Sequence, residues 1–287
     1  MTLARHVAGL AFANPVLLAS GTAGYGRELV GAVSLHRLGG LVTKAVSLEP
    51  RAGNSPPRVA EFRGGMLNSV GLANPGVEWV RAHELPWLAG NLPMVRVFAN
   101  IVGFTVGEYA DVIARLDDTP GHAAYELNLS CPNTSAGGVE FGADASVVRD
   151  VVSRCRRATK RPLFAKLSPA LPNLPVIARA AHEAGADGLT LVNTMPGMAY
   201  HASKPRLGNG FGGVSGPALR PVGLLAVGRV AEALPGVPII GVGGVSSADH
   251  VRDYLRAGAA LVAIGTAALA DPHLPERIID ELERVDG

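Results

Sequence analysis

The sequence predicts an α/β protein that folds as a single closed (β/α)₈ barrel. Short apolar segments rich in β-branched residues alternate with longer amphipathic segments about eight times along the chain. The 287 residues suit one barrel domain, residues 1–287, because α/β barrels of this size run as one unit. With 48% hydrophobic and 17% charged residues, the chain is too apolar for disorder and can build a sizeable core.

The elements can be placed in order along the chain. The predicted strands are residues 15–20, 41–46, 94–100, 124–129, 163–167, 188–193, 238–242 and 261–264. The predicted helices are residues 27–38, 76–89, 106–115, 145–157, 175–184, 217–234, 247–256 and 274–284. Long insertions are expected after strands 2, 4 and 6, at the carboxyl-terminal face. The segments after strands 2 and 6 (47–93 and 194–216) are rich in Pro and Gly, and we interpret them as lids or binding loops with little structure of their own.

Two helices carry more specific signals. Ser246 and Asp249 predict a capping box for the seventh helix, and Gly258 suits a left-handed stop after it. In the fourth helix, Cys155 recurs at helical spacing with the valines before it, which predicts a core residue.

Composition excludes several classes of function. The net charge is only +2 and no basic run occurs, so nucleic acid and anionic membrane are poor candidates as partners. Two cysteines without CxxC spacing exclude a disulfide scaffold or a cysteine-ligated cluster within the chain, and they favour the cytoplasm. The eight histidines are scattered, and we predict no metal site. No segment has the character of a signal peptide or a membrane span.

A thiol, a hydroxyl and two amides follow the fourth strand. Asn128, Ser130, Cys131 and Asn133 lie where this strand gives way to a Gly-rich segment. In a parallel barrel this is the end that carries chemistry. Cys131 alone could be a small buried apolar residue, but its surroundings favour a functional thiol.

Glycines after strands seven and eight predict a phosphate site. Gly243 and Gly244 follow one strand, and Gly265 with Thr266 follows the next. Loops at these positions bind phosphate in many barrels, although the same glycines could serve only tight turns. The segment 208–213 fits GxGxxG by letter, but no strand precedes it, so we reject a dinucleotide fingerprint.

Lysines and asparagines gather at the same face. Lys44 and Lys166 end strands, where a lysine is costly without an anionic partner unless it reaches solvent. We expect that partner to be a phosphate, a substrate carboxylate or a cofactor that becomes anionic. The asparagines at this face are Asn68, Asn100, Asn128, Asn133 and Asn193. Amides both donate and accept, so the set predicts a planar ligand with many polar edges.

An ordered set of motifs is similar to one enzyme family. The motifs are NPVLLASGT from residue 14, 44–58, GMLNSVGL from residue 65, ELNLSCPN from residue 126, NT at 193, GGVSGPA from residue 212, GG at 243 and GT at 265. Over nearly its whole length the chain resembles the class 1 dihydroorotate dehydrogenases. Gly137, Gly138, Phe141 and Gly142 resemble class 1B more narrowly.

The resemblance implies a cofactor, a substrate and residues for each. It implies flavin mononucleotide (FMN) bound by Ser20, Lys44, Ala45, Asn100, Asn128, Lys166, Val192, Gly216, Gly243, Gly244, Gly265 and Thr266. It implies dihydroorotate bound by Lys44, Asn68, Ser69, Val70, Gly71, Leu72, Asn128, Asn193 and Thr194, with Cys131 as the catalytic base. Class 1B also implies a second subunit that carries FAD and a 2Fe–2S cluster and passes electrons to NAD, in an assembly built as a homodimer core or a heterotetramer.

Other functions remain open at this point. A dihydropyrimidine dehydrogenase-like flavoenzyme would run similar chemistry on a substrate without the carboxylate. A flavin-free aldolase could form a Schiff base on Lys44 or Lys166. A non-catalytic scaffold is disfavoured by the intact site motifs. The stretches 61–63 and 199–201 depart from the class 1B pattern, which bears on the lid and the partner contact.

Overall fold

Eight parallel strands close into a TIM barrel, as the sequence predicts. The computed structural model describes residues 3–130, 132–133 and 139–286. The barrel strands are β1 (Val16–Leu18), β2 (Gly40–Val42), β3 (Arg96–Ile101), β4 (Ala124–Asn128), β5 (Leu163–Leu167), β6 (Gly188–Leu191), β7 (Ile239–Val242) and β8 (Leu261–Ile264). Each strand pairs with the next, and β8 pairs with β1 to close the barrel.

Helices surround the barrel. They are α1 (77–91, with a π-helical turn at Val80–Glu84), α2 (Val106–Leu116), α3 (Ala145–Ala158), α4 (Leu174–Glu183), α5 (Arg220–Ala233), α6 (Ala248–Arg256), α7 (Thr266–Ala270) and α8 (Leu274–Asp286).

The prediction of a helix at residues 27–38 is wrong. Two short 3₁₀ turns, Arg27–Leu29 and Leu35–Arg37, stand there instead. Val30 is extended and Gly31 has a φ of +81°, so the backbone leaves the helical region between the two turns.

The cap of α6 is shifted by one residue from the prediction. Ser247 is the N-cap, and its hydroxyl accepts a hydrogen bond from the His250 backbone N–H, whereas Ser246 contacts the His250 ring. Gly258 adopts the expected left-handed conformation, with a φ of +107°. Cys155 is fully buried on α3, which confirms its place in the core.

A hydrophobic layer fills the amino-terminal half of the barrel. Phe98 and Phe164 meet edge to face inside it, with ring centroids 5.3 Å apart. A hairpin of strands Arg5–Val7 and Leu10–Phe12 lies across this end and stacks Phe12 on Phe98. This half of the barrel is apolar, and the polar interior residues lie nearer the carboxyl end of the strands.

The insertions after β2 and β6 form one antiparallel sheet, so the expectation of loops with little structure is wrong. The sheet order is Met195–Gly197, Gly212–Ser215, Gly65–Asn68, Val59–Phe62. Its central pairing sets Asn68 opposite Gly213, so two segments about half the chain apart share a single sheet beside the barrel mouth.

Among the described residues, no helix is both long and apolar enough to cross a membrane. The same residues include no group of three or more His, Cys, Asp or Glu side chains that could hold a metal ion.

Candidate active site

A buried polar cluster lies inside the barrel above the aromatic layer. Alternate residues of a strand share a face, so Asn100 and Lys166 stand two positions beyond Phe98 and Phe164. The Glu126 carboxylate lies between them. Its Oε1 accepts a hydrogen bond of 2.7 Å from Asn100 Nδ2 and lies 3.4 Å from Lys166 Nζ. The anionic partner of Lys166, expected to be a ligand, is therefore in part a residue of the chain.

Two buried polar atoms, one in this cluster and one beside it, lack a hydrogen-bond partner among the described residues. They are Asn100 Oδ1 and Thr190 Oγ1. Thr190 lies on β6 directly beside Lys166 on β5. A buried polar group left without a hydrogen bond costs roughly 1–3 kcal/mol. The pair of orphaned atoms beside a lysine therefore fits a polar ligand at the barrel mouth, as the flavin ring of FMN would be.

The amides of Asn128 and Asn193 are joined at the mouth. Asn193 Nδ2 donates to Asn128 Oδ1 over 3.1 Å, and the Thr194 backbone N–H donates to Asn193 Oδ1 over 2.8 Å. The Tyr109 hydroxyl donates to the Asn128 carbonyl over 2.8 Å. These bonds fix how both amides are turned, so the structure brings together three residues that the sequence predicted for one ligand.

Hydrogen bonds with Gly24 and Tyr25 hold the backbone of Lys44 and Ala45. Lys44 N–H donates to the Gly24 carbonyl over 2.7 Å, and the Tyr25 hydroxyl donates to the Ala45 carbonyl over 3.0 Å. Burial raises the pKa of Tyr25, with Glu84 and Glu28 adding to the effect, so its hydroxyl stays a donor. The Lys44 side chain itself is half-buried.

The predicted substrate segment 68–72 is braced by a residue that sequence reasoning missed. Asn54 donates from Nδ2 to Ser69 Oγ over 2.8 Å and to the Ser69 carbonyl over 3.2 Å. Asn68 Nδ2 reaches the Gly213 carbonyl over 3.3 Å, which ties the segment to the second insertion. Asn54 gave no signal in sequence because it lies in a loop, where an asparagine usually means a turn.

The predicted phosphate motifs lie together at the ends of neighbouring strands. Gly243, Gly244 and Gly216 all have positive φ, and a Cβ on Gly244 would stand 2.8 Å from the Gly216 carbonyl oxygen. Gly265 and Thr266 follow the next strand, β8. Ser20 and Val192 follow β1 and β6. Glycine at these positions lets two loops approach each other, and strand-end glycines of this kind are common where backbone N–H groups bind an anion.

Of the two cysteines, Cys155 lies within the described residues and Cys131 does not. Cys131 lies outside the described residues, although its neighbour Ser130 is placed at the mouth by a hydrogen bond from its N–H to Asn128 Oδ1. Cys155 is enclosed by the core, and burial raises the pKa of its thiol to about 12. A reactive role for Cys155 is therefore excluded.

Glu126 is the main residue that the sequence reasoning missed inside the barrel. It stands two positions before Asn128 on the same strand, hence on the same face. The same spacing relates Thr190 to Val192. Strand alternation gives the face on which both residues lie, but it does not show that a buried carboxylate would have partners there.

Comparison with known proteins identifies relatives of the chain. The sequence profile of the family described as dihydroorotate dehydrogenase matches residues 2–285. The chain belongs to the dihydroorotate dehydrogenase family. It is 46% identical over 282 residues to the dihydroorotate dehydrogenase B (NAD(+)) catalytic subunit of Pelobacter propionicus, which covers 97% of this chain and 91% of that protein. A Solibacter usitatus relative, 47% identical over 282 residues (98% of this chain, 92% of that protein), carries a name with fumarate as acceptor.

A solved structure supports the fold. The crystal structure of a DHODH from Eimeria tenella in complex with ferulenol superposes with a TM-score of 0.85 at 21% identity, over 99% of this chain and 84% of that one. Membership makes the chain a dihydroorotate dehydrogenase-type oxidoreductase and flavoprotein of pyrimidine biosynthesis. The aldolase and dihydropyrimidine alternatives lack such support, and relatives named as catalytic subunits confirm the class 1B resemblance.

Proposed function

We propose that this chain binds FMN at the barrel mouth and oxidises (S)-dihydroorotate to orotate there. The observation that carries the proposal is the buried Asn100–Glu126–Lys166 cluster, with its orphaned acceptors, beside the joined amides of Asn128 and Asn193. FMN, when bound, supplies the hydride acceptor for C6 of the substrate. The glycine motifs would bind its phosphate.

The residues of the chain then divide the remaining work. Cys131 would take the proton from C5, which requires a thiolate near working pH. Lys44 and Lys166 would stabilise negative charge in a site that water reaches poorly. Asn68, Asn128, Asn193 and Thr194 would hold the carboxylate and ring amides of the substrate. The segment after Thr194 and the Cys131 loop would close over the substrate.

Transfer of electrons to NAD would require a partner subunit. We propose a second subunit that carries FAD and a 2Fe–2S cluster and delivers electrons to NAD, assembled with a homodimer core or as a heterotetramer. Relatives named as NAD(+) catalytic subunits support a separate partner. Two cysteines in the chain are too few for such a cluster, which needs about four ligands. Cysteine usage favours the cytoplasm as the compartment.

Anaerobic mixing tests the cofactor and the substrate together. The purified protein should be yellow, release FMN on denaturation, and bleach when dihydroorotate is added. Dihydrouracil, which lacks the carboxylate, should bleach it far more slowly. A colourless protein, or one that dihydrouracil reduces as fast as dihydroorotate, would overturn the proposal.

A further inference from the structure

Glu126 lies at the centre of the buried polar cluster although no contact with a ligand is expected of it. It is 1% exposed, and its Oε1 receives both Asn100 Nδ2 and Lys166 Nζ. Lys166 is 6% exposed, so the ion pair is shielded from water. A carboxylate buried this deeply is costly, and charge pairing with Lys166 offsets part of that cost.

We propose that Glu126 is a positioning residue that sets the reduction potential of the bound flavin through Lys166 and Asn100. The inference rests on the proposed FMN site. It assigns to Glu126 a restraining role, in which its charge limits how strongly Lys166 stabilises the electrons that the flavin receives.

The first effect of Glu126 is on Asn100. A carboxylate can only accept hydrogen bonds, so the Asn100 amide must turn its NH₂ group toward Glu126. Its Oδ1 is then left as the buried acceptor without a partner among the described residues. Asn100 therefore keeps a buried acceptor, which suits an N–H donor on the edge of a ligand ring.

The second effect is on charge. Reduction of a flavin adds negative charge to the ring, and a nearby cation favours it. The Lys166 ammonium already has an anion 3.4 Å away, so the pair presents little net charge to the ring. In an interior of low dielectric, a single unit charge changes such equilibria by more than tenfold. Removing the Glu126 charge should therefore make the flavin easier to reduce.

The substitution Glu126→Gln isolates the charge, because glutamine keeps the size of the side chain and a carbonyl acceptor. Sulfite is the probe, since it adds to flavin N5 and leaves negative charge on the ring. The variant holoenzyme should bind sulfite about tenfold more tightly than the wild type. A tenfold change in the two-electron equilibrium constant corresponds to about 30 mV, so its midpoint potential should rise by about that amount.

A matched control removes a carboxylate at the opposite end of the barrel. Asp117 lies between α2 and β4 and bonds to Tyr125, Thr159 and Arg161. Asp117→Asn should lower stability and leave sulfite affinity unchanged. If it shifted sulfite affinity as much as Glu126→Gln does, the effect would reflect general loosening and the inference would fall.

A second pair of variants tests whether the effect passes through Lys166. Lys166→Met and the double variant Glu126→Gln/Lys166→Met should share one sulfite affinity, below that of the wild type, because the ammonium through which Glu126 acts is absent from both. If Lys166→Met bound sulfite tenfold more weakly than the double variant, Glu126 would act on the flavin directly. That result would overturn the route through Lys166. Unchanged affinity and potential in Glu126→Gln would overturn the whole inference, whereas wild-type protein without FMN would overturn the proposed function itself.

Discussion

The two thiols of the chain have different proposed roles. Cys155 has no access to solvent and burial raises the pKa of its thiol to about 12, whereas Cys131, which follows β4 in the sequence, is the proposed base. Cys131→Ala should keep FMN and slow flavin reduction by dihydroorotate about 100-fold or more, since a general base contributes 10²–10⁴-fold. Cys131→Ser should retain a little activity at high pH. Anaerobic stopped-flow absorbance measures both rates.

Cys155→Ala is the matched control for these variants. It removes a buried sulfur and should cost about 1 kcal/mol in the free energy of unfolding. Its flavin reduction rate should equal that of the wild type. Wild-type rates in Cys131→Ala instead would remove Cys131 from the mechanism.

Asn54 should affect substrate binding through Ser69. Its amide makes two hydrogen bonds to Ser69, so Asn54→Ala should raise KM for dihydroorotate about fivefold, the equivalent of about 1 kcal/mol, with a smaller change in kcat. Steady-state kinetics with an artificial acceptor measure the two constants. Asn91→Ala, which loses one exposed bond to the Trp87 carbonyl, should change neither. An equal rise in KM from both substitutions would count against the bracing role.

His122 should make the folded protein sensitive to acid. It is 6% exposed, neither ring nitrogen has a partner among the described residues, and burial, with Arg161 adding to it, lowers its pKa to about 3. The Tyr125 ring and Asp117 also face it. The unfolded chain takes up the proton near pH 6.5 and the folded chain does not, so the folded state loses stability as pH falls below about 6.5.

His122→Phe should remove this loss. Relative to the wild type, the variant should gain about 2–3 kcal/mol in the free energy of unfolding at about pH 4.5 and little at about pH 7.5. Urea titrations at the two values measure the difference. A gain of the same size at both would show better packing instead of a titration effect.

At the scale of elements, the two insertions depend on close backbone contact. Their sheet pairs Gly212–Ser215 with Gly65–Asn68, and Thr194 packs against the face of Gly213. A Cβ at Gly213 would stand 2.0 Å from Thr194 Oγ1. The glycines in this strand let the second insertion lie against residues expected to bind substrate.

Gly213→Ala should therefore displace Thr194 and weaken orotate binding about tenfold, since overpacking costs roughly 1–3 kcal/mol. FMN should stay bound, and titration of the flavin absorbance with orotate measures the affinity. Gly228→Ala offers the same change in α5, where a Cβ would meet nothing within 4 Å. It should stabilise the protein by about 0.5–1 kcal/mol and leave orotate binding alone. Unchanged orotate affinity in Gly213→Ala would contradict the contact.

At the scale of the whole molecule, local signals predicted the barrel and the gathering of residues at its mouth. Alternation of strands and helices is read within short windows, and parallel strands bring their carboxyl ends to one face, so Asn128 and Asn193 meet as expected. The insertion sheet escaped prediction because its central pairing joins residues about 145 positions apart, and glycine-rich segments carry no period-2 pattern. Glu126 was missed because a buried carboxylate looks unfavourable until its partners on two other strands are known.

The proposed reaction with NAD needs more than this chain. The chain has two cysteines and no dinucleotide fingerprint, so it cannot hold a 2Fe–2S cluster and has no NAD site that its sequence identifies. In the isolated chain, dihydroorotate should reduce the flavin within the first turnover. With NAD as acceptor, NADH should then form at a negligible rate. Addition of a subunit carrying FAD and a 2Fe–2S cluster should raise NADH formation about 100-fold or more, since electron transfer replaces a blocked step. Fumarate as sole acceptor is the matched control, because one relative carries a name with that acceptor. Fast turnover of the isolated chain with fumarate, together with slow turnover with NAD plus the subunit, would contradict the proposal of a partner subunit. The chain would then use a different acceptor.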